Sequence, residues 1–196
     1  MDKIKLRLNL IFKNEYYTNH GPLAKEMEMY LIKKTGFKNA VSVSNYVIAI
    51  LMVIELFKNK KNLYFEMKNC PKVLKNFVTT NLKILNKPSD KSINFLTYRN
   101  KKKITKKSVY ISNKLLKNNI HFADILNICN LEFYNTKNYI FTGSIIFTNN
   151  DILAEKLRNI RSSYGTNKTV EVYRTSNGRF SEFQAAFFLS KFSKIN

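Results

Sequence analysis

Acidic residues are scarce in this sequence: 13 Asp and Glu stand against 34 Lys and Arg, leaving a formal net charge of +21. Glycine is scarce as well. The five glycines, Gly21, Gly36, Gly143, Gly165 and Gly178, lie too far apart for a G-x-G-x-x-G turn or a P-loop. A dinucleotide-binding Rossmann turn and a Walker-type NTPase are thereby excluded at motif level. Two cysteines, Cys70 and Cys129, cannot build a disulfide framework or a Cys-rich zinc site. His20 and His121 lack H-E-x-x-H spacing, so no metal site is expected. The longest apolar run, 46–54, ends at Glu55 and falls short of the ~20 residues that span a bilayer. Residues 8–12 are too short for a signal-peptide core and are followed at once by Lys13. With so little cysteine and no export signal, the expected compartment is the cytoplasm, without a membrane partner.

Apolar residues make up 44% of the 196 positions, enough for a real core in one domain or a domain plus part of another. The positive charge admits two explanations. One is a polyanion partner. The other is compositional: Lys far exceeds Arg and Asn is abundant, as AT-rich coding sequence favours. Base-reading proteins rely on the bidentate guanidinium of Arg, which is sparse here. The densest basic run, residues 99–107, has no interleaved aromatics on which bases could stack. A basic nucleic-acid-binding module is therefore the least favoured function class.

Along the chain, Pro22 is suited to a first helical position, and Leu23, Met27, Tyr30 and Leu31 recur at helical spacing until Gly36. Residues 40–43 read as a short strand. Asn45 can cap a helix over 46–58 that is apolar on all sides and so belongs in an interior. From 59 to 107 the pattern weakens and lysine dominates. Strands are expected at 109–111, 125–133 and 139–148. Asn150 or Asp151 opens a helix to Arg161, and Ser181 caps a last helix over 182–192. This order predicts an α/β fold.

Several stretches resemble the DegT/DnrJ/StrS-type sugar aminotransferases, and in that family's order. They are Tyr17-Thr18-Asn19-His20-Gly21-Pro22-Leu23 with residues 35–45; Phe77-Val78-Thr79-Thr80-Asn81; Phe133-Tyr134-Asn135-Thr136-Lys137 with Thr142-Gly143 and 146–151; Glu155-Lys156-Leu157-Arg158 through Arg161 and Tyr164-Gly165; and Asn177-Gly178-Arg179-Phe180-Ser181-Glu182 through Ala186.

The resemblance implies the fold type I architecture: a mixed, mostly parallel sheet flanked by helices, here an incomplete large domain over 1–196 with a degraded lysine-rich middle at about 59–121. It implies pyridoxal phosphate (PLP) as cofactor. It also implies amino transfer, usually from glutamate, to a nucleotide-linked keto sugar by a homodimer, in amino-sugar biosynthesis for surface polysaccharide. By the same resemblance Lys137 matches the lysine that forms the Schiff base, a role suited to an amine whose pKa burial can depress. Related dehydratases carry histidine there. Phe77 matches the aromatic stacked on the pyridine ring, and Asn177 the asparagine that reaches the phosphate across the dimer. Asn45, Tyr46, Val47 and Glu132 occupy positions of the phosphate cup.

The departures from the family pattern fall at the chemistry. Tyr46-Val47 stand where the family has Gly-Thr, Glu132 where it has serine, and Ser144-Ile145 come after Gly143 where a second small residue is usual. A strand–helix–strand segment with the Asp-Ala-Ala motif, whose aspartate pairs with the ring nitrogen, has no counterpart. Asp124 is the sole acid in 109–130, and its setting resembles the strand before the lysine motif. A small C-terminal domain would come after residue 196 in the family, and missing inner strands would expose sheet edges. A non-catalytic relic of the family therefore stands as the alternative to an active transaminase.

Overall fold

A computed structural model of the chain describes residues 3–17, 20–57, 62–66, 83–97, 108–117, 126–135, 140–161 and 178–192. Within them the helices are α1 (Lys3–Lys13), α2 (Pro22–Thr35), α3 (Tyr46–Leu56), α4 (Asp151–Arg161) and α5 (Glu182–Phe192). The strands are β1 (Asn39–Val43), β2 (Asn62–Phe65), β3 (Lys83–Ile84), β4 (Ser92–Thr97), β5 (Ser108–Ser112), β6 (Leu126–Asn135) and β7 (Ile140–Thr148).

Helix boundaries obey local chemistry. Pro22 sits in the first turn of α2, and Gly36 ends that helix at φ 80°, donating its N–H to the Ile32 carbonyl. Asn45 Oδ1 accepts from Ile48 N at 3.0 Å and opens α3; Asn150 Oδ1 accepts from Leu153 N at 3.1 Å and opens α4. Ser181 and Gln184 form a reciprocal cap on α5, with Gln184 N on Ser181 Oγ and Ser181 N on Gln184 Oε1, both at 3.1 Å. Weighed only as an export segment in the sequence, residues 3–13 fold as α1. Ile4, Leu8 and Ile11 share its helical spacing, and Arg7, though buried, pairs with Glu26 of α2 at 2.6 Å.

The sheet order is β1-β7-β6-β5-β4-β2-β3. β7 runs antiparallel to both neighbours, and all other pairs are parallel. A mostly parallel sheet needs cover on both faces. One face, with Val41, Val43, Val109 and Ile111, packs under α3 and α4. The other, with Ala40, Tyr110, Cys129 and Phe147, packs under α1, α2 and α5. The alternation along β1 and β5 is that of a strand buried on both sides.

The lysine-rich middle contains more order than its pattern suggests. It supplies β2, β3 and β4, strands of two to six residues, too short for a clear period. Register partners Phe65 and Phe95 stack there with ring centroids 4.5 Å apart. The expected exposure of inner edges does not occur. β5 pairs with β4 on one side and, from Val109↔Leu126 to Ser112↔Cys129, with β6 on the other. Among the described residues, no helix is long and apolar enough to cross a membrane.

Candidate functional site

Because β1 and β2–β6 point the same way, their C-terminal ends share one edge of the sheet, where open α/β sheets bind ligands. Ser44-Asn45 leave β1 at this edge and open α3. β6 ends there at Asn135, the register partner of Ile140 in β7. The segment from Gly178 into α5 closes over it. Ser44 N donates to the Gly178 carbonyl at 3.0 Å. Gln184 Nε2 donates to the carbonyls of Ser44 at 3.1 Å and Thr142 at 2.9 Å, tying α5 to β1 and β7. The approach is close: a Cβ on Gly178 would stand 2.8 Å from Ile48 Cγ2.

The residues expected from the sequence fall into three groups. Asn45 caps α3, and Tyr46 and Val47 form its first turn, half-buried against the α3–α4 core. The backbone of Glu132 lies in β6 opposite Thr142. Lys137, Phe77 and Asn177 lie outside the described residues. Lys137 belongs by sequence to the four positions between β6 and β7, and Asn177 directly precedes Gly178.

The described part of this edge departs from the family's manner of holding PLP. A cofactor phosphate needs free N–H groups at a helix N-terminus. Here Asn45 already holds the Ile48 N–H, and the Gly178 carbonyl holds that of Ser44. Tyr46 and Val47 add bulk at the same turn. Ser44 Oγ, buried and unbonded, is the feature that would suit a phosphate. The ring nitrogen needs an acid, and β5 leads into Ser112-Asn113-Lys114, with no acidic residue anywhere in 108–117.

Next to β1 lies a buried polar network that the sequence did not single out as a unit. Glu28 Oε1 in α2 accepts from Ser42 N (2.8 Å), Ser42 Oγ (2.6 Å) and Arg161 Nη1 (2.7 Å). Arg161 also donates to the Ser42 carbonyl at 3.0 Å. These contacts hold α2 and α4 to the strand that delivers Ser44. The signal was thin: Glu28 stands with Lys25 and Glu26 in a charged turn of α2 and in sequence reads as part of a solvated face.

His20 sits beside this network at φ 61°, its Nε2 buried without a hydrogen-bond partner. Burial first, then the Arg161 charge, pushes its pKa from 6.5 to about 3. The unfolded chain therefore takes up a proton below pH 6.5 that the folded chain refuses until about 3, and stability is lost as pH falls through that window. Unfolding midpoints should be lower at pH 5 than at pH 7 for the native chain. The drop should be smaller for His20→Asn, which tolerates the same φ; equal drops would mean that His20 is already protonated or solvated in the fold.

Architecture and edge together define a fold class: an α/β domain with a mixed, mostly parallel seven-stranded sheet flanked by helices on both faces, of the fold type I kind. Residues 121–196 match the DegT/DnrJ/EryC1/StrS aminotransferase family, which bears out the resemblance drawn from the sequence motifs. The chain is similar in structure to a DegT/DnrJ/EryC1/StrS aminotransferase from Brucella abortus, with 14% identity and TM-score 0.70, covering 97% of this chain and 63% of that one. It is similar to DesI determined in the presence of its TDP-sugar product, with 14% identity and TM-score 0.71, covering 96% and 57%. NtdA from Bacillus subtilis, solved with bound cofactor PMP, gives 19% identity and TM-score 0.65, covering 97% and 52%. The chain thus spans less than two thirds of the length of these relatives. No curated protein matches the sequence.

Proposed function

We propose that this chain, as a single partial large domain over 1–196, serves amino-group transfer of the kind its family performs. The acceptor would be a nucleotide-linked keto sugar, the donor glutamate, the cofactor PLP on Lys137, and the setting a cytoplasmic homodimer making amino sugars for surface polysaccharide. The observation that carries this is the family match over 121–196, a span that includes both Lys137 and Asn177. Gln184 and Gly178 support it by tying the segment after Asn177 to the edge where β6 ends.

A second reading, a non-catalytic derivative, is favoured by one specific arrangement: α3 spends one of its first-turn donors, the Ile48 N–H, on its own Asn45, and no acid comes after β5 in 108–117. Titration of the chain with excess PLP separates the two. The transaminase reading expects a new absorbance near the visible that borohydride removes, leaving a reduced adduct on Lys137 by mass spectrometry and none in Lys137→Ala. An unchanged spectrum, or an adduct spread over surface lysines, establishes the non-catalytic reading.

A further inference from the structure

Helix α1 turns only part of its surface to the protein. Its buried residues are Arg7, paired with Glu26 of α2, and Ile11, in the core shared with α5. Lys5, Asn9, Phe12 and Lys13 are exposed. Lys5 and Phe12, seven residues apart, lie nearly in line along the helix. Phe12 is 58% exposed, and Tyr17, just past the helix, 53%. Their ring centroids are 6.1 Å apart.

The turn that presents the two rings is fixed. Glu15 N donates to the Phe12 carbonyl at 3.1 Å and Tyr16 N to the Ile11 carbonyl at 3.3 Å, with Glu15 at φ 51°, a Schellman closure of α1. The Tyr16 ring lies against Gly21 at the start of α2.

Size and charge together select what covers the rings. Aromatic side chains carry about 150–250 Å² each, so the exposed part of this pair is roughly 200 Å². A stable protein interface takes about 800 Å² from each partner. A second copy would also bring the same cations: the exposed charges across 3–17 are Lys3, Lys5, Lys13 and Glu15, in a chain of net charge +21. A small aromatic pair among lysines fits an anionic bilayer surface instead. Amphipathic rings settle at headgroup level. Nearby lysines add attraction to acidic headgroups and lay their methylene stems along apolar surface. No described helix is able to span a membrane, and a helix lying on its surface has no need to.

We propose that the C-terminal end of α1 is a membrane-surface anchor, with Phe12 and Tyr17 entering the headgroup layer of an anionic bilayer and Lys5 and Lys13 pairing with lipid phosphates. The anchor needs neither PLP nor Lys137, so it stands or falls apart from the transaminase reading.

The chain has no tryptophan, so Phe12→Trp reports from this patch alone, and Ile152→Trp, at a position 67% exposed on α4, reports from elsewhere. With vesicles of equimolar phosphatidylcholine and phosphatidylglycerol, the Phe12→Trp emission is expected to move to the blue and the Ile152→Trp emission to stay. Vesicles of phosphatidylcholine alone should bind the chain at least about tenfold less tightly. In co-sedimentation with the anionic vesicles, Phe12→Ala should weaken binding about tenfold, and Lys5→Gln and Lys13→Gln about fivefold each. Lys87→Gln, on the 83–90 loop, should stay within about twofold. Equal shifts at the two tryptophans, or Lys87→Gln costing as much as Lys5→Gln, would show a general attraction of a basic chain for acidic lipid and overturn the anchor. A Phe12→Trp emission already blue without vesicles, and reddening on dilution, would place a second copy on the rings and overturn it too. So would an unmoved emission at both positions with a native far-UV spectrum.

Discussion

Replacing Glu28 with alanine should lower the unfolding free energy by about 3–5 kcal/mol, a large part of what an ordinary domain has. The Arg161 side chain is 8% exposed and its partner carboxylate 15%. Without Glu28 the guanidinium keeps its charge in a site closed to water. Ser42 N–H and Oγ, both bonded to the same oxygen, lose their acceptor at the same time. Burial by itself would raise the Glu28 pKa; the Arg161 charge and the two Ser42 bonds outweigh it and hold the carboxyl below its usual range. Glu28 therefore contributes stability above its unfolded value, and that stability is lost as pH falls through the lower folded value. The double variant Glu28→Leu/Arg161→Met should recover the part of the loss that comes from the orphaned guanidinium, because an apolar pair removes both charges, and should retain the cost of the two unpaired Ser42 donors. Urea midpoints for the two singles and the double complete the cycle. A Glu28→Ala loss under about 1 kcal/mol would mean the pair is wet in solution and behaves as a surface salt bridge.

Glu182→Ala should destabilise by about 2–4 kcal/mol, through a helix other than its own. Glu182 is 1% exposed, and its two carboxylate oxygens accept from Leu23 N and Ala24 N at 2.9 Å each. Those are first-turn donors of α2, whose cap position is Gly21 and so has no side chain to accept them. Nor could it have one: a Cβ on Gly21 would lie 2.3 Å from the Tyr16 ring and 2.7 Å from Glu182 Cδ. The cap is supplied from 159 residues away at Leu23 and 158 at Ala24. Glu182→Gln, which keeps one acceptor oxygen, should lose about half as much. Hydrogen exchange at Leu23 and Ala24 should quicken in Glu182→Ala before that of mid-helix amides. If only α5 amides respond, Glu182 serves its own helix start and the cross-chain cap is refuted.

The fold was legible wherever a signal and its partner lie within a few residues. Asn45, Asn150 and Ser181 each cap the helix just downstream, Pro22 opens α2 and Gly36 closes it, each within about one helical turn of its hydrogen-bond partner. The ends of β6 and β7 around the lysine motif were legible for the same reason. Strands β2 to β4 were not, because segments of two to six residues are too short to establish a period. α1 was passed over because its lysines hid the Ile4, Leu8 and Ile11 spacing.

Sequence order therefore sufficed for the α/β class, the family motifs and the position of Lys137 along the chain, all of them properties of neighbouring residues. Glu182 reaching across to α2, Glu28 closing on Arg161 and Gln184 bridging two strands came only from folding, over separations of 159, 133 and 140 residues. A buried charge or amide must find its partner wherever the packing brings one, and nothing in the flanking residues says where that is.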